Sequence, residues 1–130
     1  MKYLLDTNMV SFAIRGVGNV GGRLQEIDPS EVVISAVTES ELWFSVEKRR
    51  SEKLRRSVEA FLSGVGVLDY DRAAAREFGR VRALLEQRGE PIGIADTMIA
   101  AHALSRSLTL VTNNGKHFRR VRNLSLDDWR

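Results

Sequence analysis

The chain has no cysteine. That excludes a disulfide-stapled scaffold, a thiolate zinc site and a cysteine nucleophile. Histidine is nearly as scarce: His102 and His117 are the only two, so a three-histidine metal site is excluded as well. No apolar run approaches the roughly 18 residues needed to span a bilayer. The N-terminal run Lys2–Leu5 meets an acid at Asp6, too early for a signal-peptide core. There is no internal repeat, low-complexity tract or linker. These absences predict a cytoplasmic protein without a membrane segment.

The 130 residues suit one domain, spanning 1–130, and are enough to bury a core of their own. At 43% hydrophobic residues the chain is too apolar to be mainly disordered. The formal charge is only +3, so its distribution matters more than its sum. Lys48–Arg56 reads KRRSEKLRR and Lys116–Arg122 reads KHFRRVR. Each is a solvated face in the bland reading and a phosphate-contacting surface in the sharper one.

Short apolar runs at Lys2–Asp6, Val32–Ile34, Val65–Asp69 and Ser107–Thr112 predict strands, with a weak fifth near Leu124–Leu126. Helical spacing fills the gaps: Val37–Arg49, a helix capped by Ser51, another capped by Asp71, and Ile94–Arg106. Strands alternating with helices predict an α/β fold, a parallel sheet of four to five short strands with helices on both faces. Gly16–Gly21 matches G-x-G-x-x-G, but no strand precedes it, so it reads as a turn between helices.

Ligands of open α/β sheets bind outside the carboxyl ends of the strands. The first strand ends in Asp6-Thr7-Asn8 and the fourth in Thr112-Asn113-Asn114. Asp6 follows two leucines, where a carboxylate is either a helix N-cap or a functional acid. Asp96 stands in the apolar stretch Pro91–Ala101 with no cation nearby in sequence. Glu41 shares a helix face with Thr38 and Ser45, while Glu39 points elsewhere, toward solvent. Three acids converging from separate elements repel one another unless a cation holds them. An all-oxygen donor set favours Mg²⁺ or Mn²⁺ over zinc. Such a site orients a phosphodiester for attack by water, and the two basic segments suit a polyanion. His102 reads as a packed histidine; His117 beside Phe118 reads as a base-stacking residue or, more simply, as part of a hydrophobic anchor for the C-terminal loop.

The order and spacing of LLDTN (Leu4–Asn8), ISAVTESEL (Ile34–Leu42), VLDYD (Val67–Asp71), PIGIADTMIAAHAL (Pro91–Leu104), LVTNN (Leu110–Asn114) and LSLDDW (Leu124–Trp129) resemble PIN-domain ribonucleases. The likeness covers nearly the whole chain and is to the VapC toxins of bacterial toxin–antitoxin pairs. It implies a Mg²⁺-binding catalytic set at Asp6, Glu41 and Asp96, with Thr7, Asn8 and Thr112 as polar support. It further implies a homodimer, endonucleolytic RNA cleavage and silencing by a VapB antitoxin that pushes a basic side chain toward the acids. PIGIADTMIAAHAL and LVTNNGKHF resemble the enterobacterial-type toxins, which implies tRNA, initiator tRNA foremost, as substrate. Asn114 stands where many PIN domains carry a fourth acid. It keeps an oxygen for a metal or its water but adds no charge. Lys48, Arg49, Lys116, Arg119 and Arg120 are the candidate phosphate contacts. A silent nucleic-acid-binding domain on the same fold, or a Mg²⁺-dependent phosphoesterase acting on DNA, are the competing expectations.

Overall fold

The computed structural model describes residues 1–130. Five short strands form one parallel sheet: β1 (Tyr3–Leu5), β2 (Val32–Ser35), β3 (Gly66–Leu68), β4 (Thr109–Val111) and β5 (Leu126–Asp127). They lie in the order β3-β2-β1-β4-β5, so β1 is central. Leu4 pairs with Val33 on one side and with Leu110 on the other; Leu5 pairs with Ile34 and Val111. Connections run one way from β1 to β2 and β3, and the other way to β4 and β5. The sheet therefore switches direction between β1 and β4, where the loops beyond the strand ends part and leave a crevice.

Strand alternation divides the core between the two faces. Leu4, Val33 and Leu110 pack on one side with Val81 and Leu85 of α5 (Arg72–Gln87) and Ile99, Ala100 and Ala103 of α6 (Ile94–Ser105). Leu5, Ile34 and Val111 pack on the other with Met9 and Val10 of α1 (Thr7–Arg15), Leu42 and Val46 of α3 (Ala36–Arg49) and Val58 of α4 (Glu52–Ser63). Trp129 closes that side, edge-on to Tyr3 at 4.9 Å between ring centres. No helix is long and apolar enough to cross a membrane.

The expected strands and main helices form within a few residues of their expected bounds. The caps are chemical as well as positional: Ser51 accepts from the Leu54 N–H at 3.1 Å and Asp71 from the Ala74 N–H at 2.9 Å. Two helices are additional. One is α2 (Val20–Glu26), inside which Gly21 and Gly22 lower the intrinsic propensity and hide it from periodicity. The other is α7 (Gly115–Phe118), a single turn held by Phe118, which is 1% exposed. Gly16 ends α1 in the left-handed region at φ 67°, so the first part of the glycine-rich run is the turn between helices that its context predicts, while Val20 and Gly21 already belong to α2.

Leu4 is fully buried on the central strand. Leu4→Ala removes that packing and leaves a cavity, so it is expected to lower unfolding stability by about 2–5 kcal/mol in urea titration.

Candidate active site

Asp6 is the first residue after β1. Its amide donates to the Val111 carbonyl at 3.0 Å, which continues the β1–β4 pairing and sets the side chain beside Thr112. Its carboxylate accepts from the Met9 N–H at 2.9 Å and so caps α1. The capping reading of Asp6 is therefore observed, and it leaves the second carboxylate oxygen free of the Met9 bond. Asp6 is only 5% exposed. Burial is the main cause that lifts its pKa from 3.8 to about 6, opposed by the Thr112 hydroxyl and the Met9 N–H and aided by the charges of Asp96 and Glu41.

Glu41 reaches the same crevice from α3, one element beyond β2. The Thr7 hydroxyl donates to its Oε1 at 2.5 Å and lies 3.2 Å from the Thr38 hydroxyl, so the start of α1 holds the α3 acid in place. Asp96 sits in the first turn of α6. The cap position there is Gly93, at φ 90°, a conformation that favours glycine and supplies no side-chain cap. Asp96 is therefore not the N-cap; the helix dipole favours its charge while burial pushes its pKa up. His117 nearby pulls it down, and Glu41 adds to the rise.

None of the chain's seven ion pairs involves Asp6, Glu41 or Asp96. Three carboxylates that feel one another with no cation to balance them fit a divalent ion with oxygen ligands. No three Asp, Glu or His side chains stand close enough to hold an ion unaided. Water and substrate oxygens would complete the shell, as is usual for Mg²⁺.

The supporting residues divide. Thr112 is buried and its hydroxyl accepts from the Asn114 N–H at 2.9 Å, which fixes the turn after β4. Asn8 is exposed and lies 3.5 Å from Asn113, at the rim of the crevice. The Asn114 carboxamide nitrogen meets His117 Nδ1 at 2.8 Å. His117 is thus held by Asn114, and Phe118, 1% exposed, is the hydrophobic anchor. His102 is packed as expected, with Nδ1 2.8 Å from the Ser35 hydroxyl. Glu39 is half-buried rather than directed to solvent, because it accepts the Trp43 indole N–H at 2.8 Å.

Among the candidate cations, Lys48, Arg49, Lys116 and Arg119 are exposed. Lys48 lies over the ring of Phe44, 5.8 Å from its centre. Arg120 is engaged in the structure, donating to the Pro91 carbonyl at 3.1 Å. Arg55, inside the first basic run, pairs with Glu47 at 3.0 Å and Glu52 at 3.5 Å.

Comparison with known proteins identifies the family. Residues 3–124 match the PIN domain family. The tRNA(fMet)-specific endonuclease VapC of Shigella flexneri is 41% identical over 130 residues, covering 99% of this chain and 98% of that protein. The fold is similar to VapBC2 from Rickettsia felis bound to a DNA fragment from their promoter, with a TM-score of 0.92, 34% identity and full coverage of both chains. It is also similar to DNA-bound VapBC from Salmonella typhimurium, with a TM-score of 0.91 and 40% identity over 100% of this chain and 99% of that one.

Asp6 makes the metal-free protein pH-sensitive. Well below pH 4 its carboxyl is protonated in the folded and unfolded chains alike, and its burial is uncharged. Between about pH 4 and 6 the unfolded chain ionises while the folded chain still holds its proton, so about 3 kcal/mol of stability is lost across that window, and the loss is complete once pH passes about 6. Asp6→Asn keeps the cap acceptor without the charge. It is expected to raise the melting temperature of the chelator-treated protein at pH 7.5 and to leave it nearly unchanged at pH 4; a lower melting temperature at pH 7.5 would contradict the charge penalty.

Proposed function

The chain belongs to the PIN domain family, in its VapC branch, and from that premise we propose that it is a toxin that cuts RNA endonucleolytically with the help of a divalent cation. The observation that carries this reading is the convergence of Asp6, Glu41 and Asp96, without a balancing cation, at the switch point of the sheet. Mg²⁺, for which Mn²⁺ can substitute, supplies the Lewis acidity that activates water and offsets charge on the phosphodiester. Asp6 and Asp96 hold it. Glu41, oriented by Thr7, accepts a proton from the attacking water. Thr112 and Asn114 position water at the β4 end of the crevice. Lys48, Arg49, Lys116 and Arg119 grip neighbouring phosphates, and their contribution weakens as salt rises.

The Shigella relative supports tRNA, and initiator tRNA within it, as the substrate. Inhibition of translation follows from its loss, and such a substrate supports a cytoplasmic location. The VapBC complexes among the structural relatives support a VapB antitoxin as the partner that silences this chain.

A homodimer fits an apolar patch beside the acids. Phe44 on α3 is 65% exposed and Ile94 on α6 is 57% exposed. Val37, Phe44 and Met98 line one cleft of about 430 Å³ with Thr7 and Glu41. A second copy docked there would bury the patch and set two acid sites along one RNA-binding surface.

Incubation of the purified protein with total bacterial RNA, with Mg²⁺ or with chelator, tests the activity. Discrete Mg²⁺-dependent 5′ ends in one tRNA are expected, with Asp96→Ala at least about 10³-fold slower because a cation-binding group is lost. An Asp96→Ala variant as active as the parent overturns the site assignment. Phe44→Asp is expected to turn a dimer into a monomer in light scattering, since it places a charge in an apolar interface.

A further inference from the structure

A polar cleft of about 550 Å³ opens on the β5 side of the acids. Thr112, Asn113, Lys116 and Arg119 line it from the turn after β4 and from α7, and Asp128 and Arg130 from the segment after β5. Two main-chain bonds tie it to the site. The Asp6 amide donates to the Val111 carbonyl at 3.0 Å, and the amide of the next residue, Thr112, donates to the Asp127 carbonyl at 2.9 Å. At the rim the Asn8 carboxamide lies 3.5 Å from that of Asn113. The cleft thus begins where the acid crevice ends. Two of its cations, Lys116 and Arg119, form no ion pair. The Arg119 guanidinium folds over Gly115, 3.6 Å from where a Cβ there would stand.

Arg130, by contrast, is held in one direction. Its Nη2 lies 3.0 Å and its Nε 3.2 Å from Asp128 Oδ2, and its amide donates to Asp128 Oδ1 at 3.0 Å. The backbone beneath is fixed as well. A Cβ on Gly18 would stand 3.3 Å from the Arg130 carbonyl carbon, and buried Trp129 donates its indole N–H to Asp127 Oδ2 at 3.1 Å. The Arg130 side chain is still 54% exposed. An exposed ion pair adds little stability, so what this one supplies is orientation. With Nε and one Nη2 hydrogen turned to Asp128, the far edge of the guanidinium keeps two parallel N–H donors, one on each Nη.

Resting on the nuclease reading above, we propose that this cleft is a nucleotide subsite in which Arg130, aimed by Asp128, reads a guanine of the RNA strand beside the scissile bond while Lys116 and Arg119 hold its phosphate. The two parallel donors match guanine O6 and N7, and no other base offers two adjacent acceptors on that edge. Unpaired RNA leaves the edge open to side chains. Asp128 is a positioning residue here, and Arg130 sets specificity.

Cleavage of a random-sequence RNA pool by the full-length protein in Mg²⁺, with the new 5′ ends mapped, tests this. Guanine is expected to be enriched at one fixed position from the cut. Arg130→Lys keeps the charge without the fork, so it is expected to cut with the preference for guanine over adenine reduced about tenfold. Asp128→Asn leaves Arg130 in place but unaimed and is expected to lose part of the preference. 7-Deazaguanosine, which lacks N7, is expected to abolish it in the parent. Lys116→Ala with Arg119→Ala is expected to slow cutting at all sequences alike. It is also expected to lower the salt slope of RNA binding by about 0.7 for each cation removed. A guanine preference unchanged in Arg130→Lys, or a parent that cuts without base preference, overturns the subsite and leaves the nuclease reading standing. Absence of Mg²⁺-dependent cuts overturns both.

Discussion

The pairing of Leu5 with Val111, continued by the hydrogen bond from the Asp6 amide to the Val111 carbonyl, carries a carboxylate to the edge of a dry core. Leu4, Leu5, Leu110 and Val111 are buried, so Asp6 is held at the sheet edge with only 5% of its surface exposed. The acid is kept by three compensations: the Met9 N–H, the Thr112 hydroxyl and the crevice that the change of strand direction opens beyond it. What remains uncompensated is charge, and a cation answers that. In the proposed nuclease, fold stability and metal chemistry would meet in this one side chain, since a bound cation would offset the charge penalty that the metal-free protein bears.

The other acids are positioned by elements that serve the core as well. Helix α3 buries Leu42 and Val46 and so presents Glu41 one residue away on its wetter side. Thr7 in α1 then ties Glu41 to the segment that begins at Asp6. Helix α6 is buried along most of its length, and only its first turn, with Asp96, opens to the crevice. After β4, Thr112 holds Asn114, and Asn114 holds His117. A disturbance at any of these supports moves an acid or its neighbour relative to the others, so geometry and packing are not separable here.

Much of this was legible in the residues. The alternation of β-branched runs with amphipathic periods specifies a parallel α/β sheet because each pattern can bury only one kind of face. Asp6 and Asp96 stand out because a carboxylate in an apolar run needs an explanation that composition does not provide. Glu41 was weaker evidence, since one helical glutamate resembles another until a partner such as Thr7 is seen. The extra helices escaped because Gly21 and Gly22 mask one and the other is a single turn.

Local pattern by itself determined the class of fold, the helix caps at Ser51 and Asp71, and the acids at the strand ends, because these depend on neighbours within a few residues. Only the tertiary structure decided which side chains meet. Thr7 with Glu41 and Arg120 with the Pro91 carbonyl each depend on how a helix is rotated or where a loop returns. The pairings between segments far apart in sequence are set by the register of the sheet and the packing of helices upon it. Sequence spacing carries no record of either, which is why the tie between Thr7 and Glu41 emerges only when the chain is folded.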